Sequence, residues 1–463
     1  MPTDEEISPK IDFIRGSNND HAICDDFSEQ WVSYGELKKK ISLWKSRLEN
    51  RSRRLIFLYA HNDITTVTAL FGAISSQQPV ALFDPGLSQQ SRQELESVYS
   101  PGWIVDSADS DLPVRGAKAD HQLHPDLALL LSTSGSTGSP KLVRLTGENI
   151  YSNAKGICQT LSIKSGDVAC GHLPLHYSFG LSVLLSHMLA GASVRLTSSG
   201  LTNRTFWHDM RKAGITHFPG VPFHFQMLEK LRYERLDLPD LCSMAQAGGN
   251  LDIGSRKQAH EYMSSQSGKF YVMYGQTEAA PRMTTLSHEQ FLIAPKSVGQ
   301  ALPECKVDIK DPDENGHGEV SFSGPNVMMG YAESSADLLC GDTQHGSILT
   351  GDIGHLDKFG NLTLVGRIKR FAKVFGLRVN LDEIESEISQ LCSCAVIQDG
   401  DKVKIFLVNE SDDGSTVMED SVLAHLKNKF TIPATFYGVV LVDQIPKTQR
   451  GKIDYTALAE TLC

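Results

Sequence analysis

The stretch LLLSTSGSTGSPKLVRLTGENI, Leu129 to Ile150, sets an apolar run against a segment of hydroxyl groups, glycine and a single lysine. Gly135 and Gly138 free the backbone so that N–H groups can turn inward, which residues with a Cβ resist. Ser132, Thr133, Ser134, Ser136 and Thr137 add hydroxyl donors, Lys141 adds a charge, and Pro140 stiffens the exit. This is the chemistry of a phosphate cradle, and equally that of a flexible surface turn. The bracketing favours the cradle, because one apolar strand feeds the segment and another, LVRLT, leaves it. It is not a Walker A loop. That pattern places Lys and Ser/Thr directly after its second glycine, whereas Gly138 is followed by Ser139 and Pro140 and no hydroxyl follows Lys141. A P-loop NTPase is therefore disfavoured.

Outward from this loop, short apolar runs alternate with helical patterns. RRLIFLYA, PVALFD, DLALLLSTS, GASVRLT, ITHFPG and KFYVMY read as strands. NDITTVTALFGAISSQ, starting at Asn62 or Asp63, reads as a helix, as do RTFWHDMRKAG and RKQAHEYMSSQS. Repeated βα alternation predicts layered α/β sheets, largely parallel. From about Pro303 the texture changes to hairpins with DENG and KFGN as turns, an antiparallel β region. After Arg367 comes the basic stretch RIKRFAKVFGLRVN, then a helix, a hairpin, a helix and a strand, which predicts a small α+β domain. The expected division is a large domain over 1–367 and a small C-terminal one over 368–463.

The chain has 463 residues, too many for one compact core. With 44 Lys+Arg against 55 Asp+Glu the net charge is −11, which argues against a nucleic-acid partner but leaves room for a small anionic ligand. Nine scattered Cys without a disulfide framework suit a reducing compartment. The acidic N-terminus MPTDEEISPK is no signal peptide, and no apolar run reaches the ~20 residues of a membrane span. A cytoplasmic location with no membrane partner is expected.

Further motifs follow the loop in order: LPLHYSFGLS (Leu173–Ser182), AQAGGNL (Ala245–Leu251), MYGQTEA (Met273–Ala279), LTGDIG (Leu349–Gly354), GRIKRFAKVFGLRVNLDEIE and IPKTQRGKID. Together with TSGSTGSPK they resemble the signature motifs of the adenylate-forming superfamily: acyl- and aryl-CoA synthetases, peptide-synthetase adenylation domains and luciferases. The resemblance spans Ser132 to Asp454. It implies that ATP is attacked at its α-phosphorus by a substrate carboxylate, giving acyl-AMP and pyrophosphate, after which a thiol takes the acyl group.

By that resemblance the Gly-rich loop wraps the β- and γ-phosphates. Gly248, Gly249 and Asn250 form the adenine-side turn, where Tyr274 packs beside the base and Gly275 follows. Thr277 faces the α-phosphate, and Glu278 is the Mg²⁺ carboxylate. Asp352 accepts from the ribose hydroxyls, with Arg367 beside it. Lys452 bridges carboxylate and α-phosphate, cancelling the repulsion of two anions. Lys369 is the hinge, and Gly376 lines the thiol path for CoA or a carrier protein's phosphopantetheine. One site departs from the pattern: Asp454 stands where relatives often carry a basic residue. The basic run Arg367, Lys369, Arg370, Lys373 and Arg378 reads either as a landing patch for a phosphate-bearing thiol or as a solvated face.

His176, Phe179, Gly180 and Phe223 are expected at the acyl pocket. Gly180 stands where amino-acid adenylation domains carry an Asp that anchors the substrate ammonium. A buried ammonium without a carboxylate is unfavourable, so a simple aryl or short-to-medium carboxylic acid is expected rather than an α-amino acid. The alternatives are a non-catalytic nucleotide-binding relative, against which the intact Lys452, Glu278 and Asp352 count, and an adenylation domain for an amino acid.

Overall fold

The structure, a computed structural model, describes residues 12–28, 30–48, 52–106, 122–132, 141–374, 377–389, 391–400, 402–408, 419, 421–426, 436–448 and 453–461. Thr133 to Pro140, Gly376 and Lys452 lie outside the described residues, as does the side chain of Lys369. The chain packs as two compact units. The first comprises Met1–Lys306 and Phe322–Ile348, the second Val307–Ser321 and Leu349–Cys463.

The first unit holds two large sheets. One is six-stranded among the described residues. Its strands Trp103–Asp106, Ile56–Tyr59, Val80–Phe83 and Leu127–Ser132 run parallel, and Leu142–Thr146 and Gly330–Ala332 close one edge antiparallel. IFLY and VALF are buried at every position, as expected of parallel strands covered on both faces. The expected helix after the first of them spans Ile64–Ser75, and Asp63 is its N-cap, accepting from Thr66 N at 2.6 Å.

The other sheet is nine-stranded among the described residues. Val168–Gly171, His217–Gly220, Ser243–Gln246 and Lys269–Gly275 are parallel neighbours, and Arg282–Leu286 returns antiparallel along the last of them. His217 ties three of these strands at their N-terminal ends. Its Nδ1 meets the Ser243 hydroxyl, and its Nε2 lies 3.1 Å from Asp167 Oδ2, an ion-pair contact that falls short of hydrogen-bond alignment. A helix over Ser178–Ala190 is buried at nearly every position and stops at Gly191, which supplies the left-handed φ of +71°.

The second unit contains an antiparallel sheet of Lys306–Lys310, Gly318–Ser323, Ser347–Leu356 and Leu362–Arg367 in that order. Both expected hairpins are there. A small α+β assembly follows: a hairpin over Phe371–Val374 and Leu377–Asn380, the helix Leu381–Ile388, the strands Cys394–Asp399, Lys402–Val408 and Tyr437–Val442, and the helix Tyr455–Glu460. In this division the antiparallel sheet packs with the residues that follow Arg367. Asn380 makes the join. It caps the helix Leu381–Ile388, donates to Val365 O at 2.9 Å, and fills the space that a Cβ on Gly366 would need.

Arg370, expected on a basic face, is instead half-buried at a junction. It donates to Asp382, Glu385 and the Val396 carbonyl, and its guanidinium lies 4.0 Å over the Tyr455 ring. Every described cysteine is a free thiol, and no described helix is long and apolar enough to cross a membrane.

Candidate active site

The loop residues Thr133–Pro140 bridge an antiparallel pair in which Ser132 faces Leu142. Lys141, at the loop's exit, holds its ammonium 3.6 Å over the Tyr331 ring and 3.7 Å from the Glu333 carboxylate. The same Tyr331 donates its hydroxyl to Glu278 Oε1 at 2.8 Å. The exit of the Gly-rich loop and the expected metal carboxylate are thus joined through one phenol. Burial first, and then the Glu278 charge, raise the Tyr331 pKa well above the ordinary tyrosine value. Nothing in the sequence reading marked Tyr331.

Glu278 and Thr277 sit in a single 3-10 turn directly after the strand Lys269–Gly275, at a C-terminal strand end where α/β sheets gather ligands. Glu278 is half-buried. Its Oε2 has no partner among the described residues, which leaves one carboxylate oxygen for a cation. Thr277 Oγ1 is 3.2 Å from Ser178 Oγ, at the start of the buried helix. Gly275 must be glycine, because a Cβ there would lie 1.8 Å from Pro281 O. Tyr274 is buried beside it.

Gly248 has φ +81°, and a Cβ on it would meet the Tyr177 hydroxyl at 2.5 Å. Gly249 O accepts from Gln246 Nε2, and Asn250 Oδ1 accepts from Arg256. In the second unit, Asp352 and Arg367 face each other across paired strands, Nε to Oδ1 at 2.9 Å. The Asp352 carboxylate is buried, whereas Arg367 is mostly exposed.

The expected acyl-pocket residues separate. Phe179 lines a small void of about 20 Å³, room for about one water molecule. His176 is buried 3.7 Å from Asp84 Oδ2 and does not line that void. Phe223 is half-exposed, with its ring near His224. Gly180 borders a smaller void among Leu173, Val183, Leu196 and Pro219. A Cβ on Gly180 would meet the carbonyl oxygens of Pro174 at 2.3 Å and Leu173 at 2.7 Å. A side chain at this position would require that backbone to shift.

The larger void has a charged wall that the sequence reading missed. Ile157, Phe179, Val183, Phe218, Ala245 and Met273 give it apolar surface, and Arg282 is its permanent cation. Arg282 is only 4% exposed. Its guanidinium lies 3.9 Å over the Phe179 ring, and its enclosed Nε has no hydrogen-bond partner among the described residues. Burial pushes its pKa down to about 9, with the Tyr177 phenol the only opposing group. The available signal was a lone charge in the otherwise uncharged strand RMTTL, Arg282–Leu286, which is buried throughout.

The family model described as AMP-binding enzyme matches residues 13–332. Oxalate–CoA ligase of Arabidopsis thaliana is 31% identical over 401 residues, covering 81% of this chain and 76% of that protein. A 2-succinylbenzoate–CoA ligase of Staphylococcus aureus is 29% identical over 342 residues, covering 72% and 67%. Among solved structures, o-succinylbenzoate CoA synthetase of Bacillus subtilis, in complex with its acyl-adenylate intermediate, is similar at a TM-score of 0.76 and 20% identity over 94% of each chain. ATP-bound MatB of Rhodopseudomonas palustris is similar at 0.78 and 20% over 96% of each. At these identities the structural likeness is one of fold.

Proposed function

Because the chain belongs to the AMP-binding enzyme family, we propose that it activates a carboxylic acid with ATP, releasing pyrophosphate, and passes the acyl group from the acyl-AMP to the thiol of CoA. The observation that carries this reading is the link from Lys141 through Tyr331 to Glu278. It gathers a phosphate-cradle exit and an acidic group within one unit, at the end of a parallel strand. CoA is preferred over a carrier protein as acceptor because the two curated relatives are named as CoA ligases. The acids in those names, oxalate and 2-succinylbenzoate, each carry two carboxyl groups.

The residue roles follow from chemistry. Glu278 would hold Mg²⁺, an ion that usually takes one or two protein carboxylates and leaves its other positions to phosphate and water. When bound, it supplies neutralising charge on the phosphates. Thr277 offers its hydroxyl to the α-phosphate. Gly248, Gly249, Asn250, Tyr274 and Gly275 border the base, and Thr133–Gly138 with Lys141 receive the outer phosphates. Asp352, oriented by Arg367, accepts from the ribose hydroxyls. Lys452 stands between the two anions that must meet, where a fixed cation stabilises the charge that develops. His176, Phe179 and Phe223 belong to the acyl side. We place the boundary of a mobile lid after Arg367, with Lys369 as its hinge and Gly376 on the thiol path.

Carboxylate-dependent exchange of labelled pyrophosphate into ATP tests the reading. Exchange is expected with wild-type protein and should fall about 10²-fold or more in Glu278→Gln, a loss comparable to that of one preorganised electrostatic contact. Nucleotide binding without exchange for any acid would identify a non-catalytic relative instead.

A further inference from the structure

The strands Val168–Gly171, His217–Gly220 and Ser243–Gln246 begin side by side, at the end of the sheet opposite to Thr277 and Glu278. Asp167 is the residue before the first strand, His217 opens the second, and Cys242 is the residue before the third. Neighbouring strands lie about 4.8 Å apart, so the three residues are held close by rigid backbone. Their carboxylate, imidazole and thiol each offer one ligand atom, and these atoms all lie within 4.8 Å of one another. Cys242 is exposed and Asp167 half-buried, so solvent reaches the cluster, whereas His217 is only 7% exposed.

Packing alone does not account for the histidine. Its Nε2 is enclosed, has no hydrogen-bond partner among the described residues, and stands 3.1 Å from Asp167 Oδ2. A buried polar atom left in that condition is costly and calls for an explanation. The groups around it are already oriented. The Ser243 hydroxyl meets His217 Nδ1, which fixes the ring and leaves Nε2 to the cluster. The Lys164 backbone N–H donates to Asp167 Oδ2 at 2.7 Å. Outer hydrogen bonds of this kind orient the ligands of metal sites. His187 packs edge-on, 5.3 Å from the His217 ring, and burial pushes its pKa down to about 3, so it brings no competing charge.

We infer that Asp167, His217 and Cys242 bind one Zn²⁺ ion. A thiolate, an imidazole and a carboxylate make a donor set that suits zinc, whereas Ca²⁺ and Mg²⁺ select oxygen. Zinc bonds of about 2.0–2.3 Å set the edges of its tetrahedron at about 3.3–3.7 Å. Asp167 Oδ2 and His217 Nε2 stand 3.1 Å apart before any adjustment. The Cys242 thiol now donates to Thr216 O at 3.3 Å, and a turn of this exposed side chain completes the set. As the ion enters, the thiol proton and any proton on Nε2 pass to solvent, and water takes the fourth position. Such an ion pins three strand starts together. It stabilises the first unit and takes no part in chemistry at the opposite strand ends, so the inference stands or falls independently of the acid-activation reading.

Co²⁺ is the probe, because it takes zinc's sites and a thiolate ligand gives it a near-ultraviolet charge-transfer band that oxygen ligands do not. The full-length protein, stripped with chelator and free of ATP, is titrated with Co²⁺ and then with Zn²⁺. The band should saturate at one cobalt per chain and be bleached by zinc. Saturating zinc should raise the melting temperature by about 3 °C or more. Cys242→Ser should abolish the band and the rise, and Asp167→Asn should weaken cobalt binding about tenfold or more. Cys340→Ser removes the other exposed thiol among the described residues and should keep both signals. Equal melting temperatures of the metal-free proteins show that the variants fold, and Asp167→Asn carries the test if Cys242→Ser does not. A wild type with no band at tenfold excess of cobalt, or a band that survives Cys242→Ser, overturns the site. Stabilisation by zinc that is equal in wild type and Cys242→Ser places the ion elsewhere and overturns it as well.

Discussion

Gly180 shows how one residue's meaning depends on what surrounds it. In the sequence, Gly180 reads as a missing ammonium anchor. In the structure its Cβ position is blocked by the backbone oxygens of Leu173 and Pro174. Neither of these can yield as the far end of a flexible side chain would. Gly180→Asp is therefore expected to destabilise the protein by about 3 kcal/mol or more, since it combines overpacking with a buried carboxylate. Urea unfolding checks this. If the Gly180→Asp protein proved as stable as the wild type, and newly active on α-amino acids, the anchor reading would be restored.

The elements were legible to the degree that their residues carried their own pattern. IFLY, VALF and LALLL announce strands buried on both faces, and Asp63 announces a helix start, because burial and capping act on neighbours in sequence. The helix Ser178–Ala190 was hidden because it is apolar nearly all round and has no polar face to give a period. The hairpin Phe371–Asn380 was hidden inside a run of basic residues. Its neighbour Arg370 gains partners from three separate elements, which no window of sequence contains. The turn bearing Thr277 and Glu278 could be read from its motif, whereas the pairing of Glu278 with Tyr331, more than fifty residues on, is a tertiary fact.

His217 binds elements to one another in the same tertiary way. Burial alone would lower its pKa, but its contacts with Asp167 and then Cys242 raise it to about 9. A histidine with a folded-state pKa above its unfolded value stabilises most below the unfolded value of ~6.5 and loses that contribution as pH rises through the folded one. Between pH 6.5 and 9 the wild type should therefore lose about 2–3 kcal/mol through this group. His217→Gln should lack that part of the slope. Denaturant midpoints across the range, compared between the two proteins, measure it, and parallel profiles would remove His217 as the cause.

At the scale of the whole molecule, the two proposed half-reactions call on different residues of the second unit. Lys452→Ala should lower pyrophosphate exchange by roughly 3–4 kcal/mol in barrier, or about 10²–10³ in rate, and should affect thioester formation from supplied acyl-AMP much less. Gly376→Trp should do the reverse, filling the thiol path and sparing exchange. Equal losses in both assays would count against a lid that alternates. A turn about Lys369 also has to release contacts made across it: Asp382 Oδ2 with Arg367 N–H at 3.2 Å, and Asn380 Nδ2 with Val365 O at 2.9 Å.

The reversal from Gly275 to Arg282 lies entirely within the first unit, whatever the second does. Thr277 and Glu278 stand at its bend, and Arg282 stands opposite Gly275 with its backbone clamped by two buried asparagines. The backbone of a single turn therefore sets how far the proposed metal carboxylate stands from that buried guanidinium.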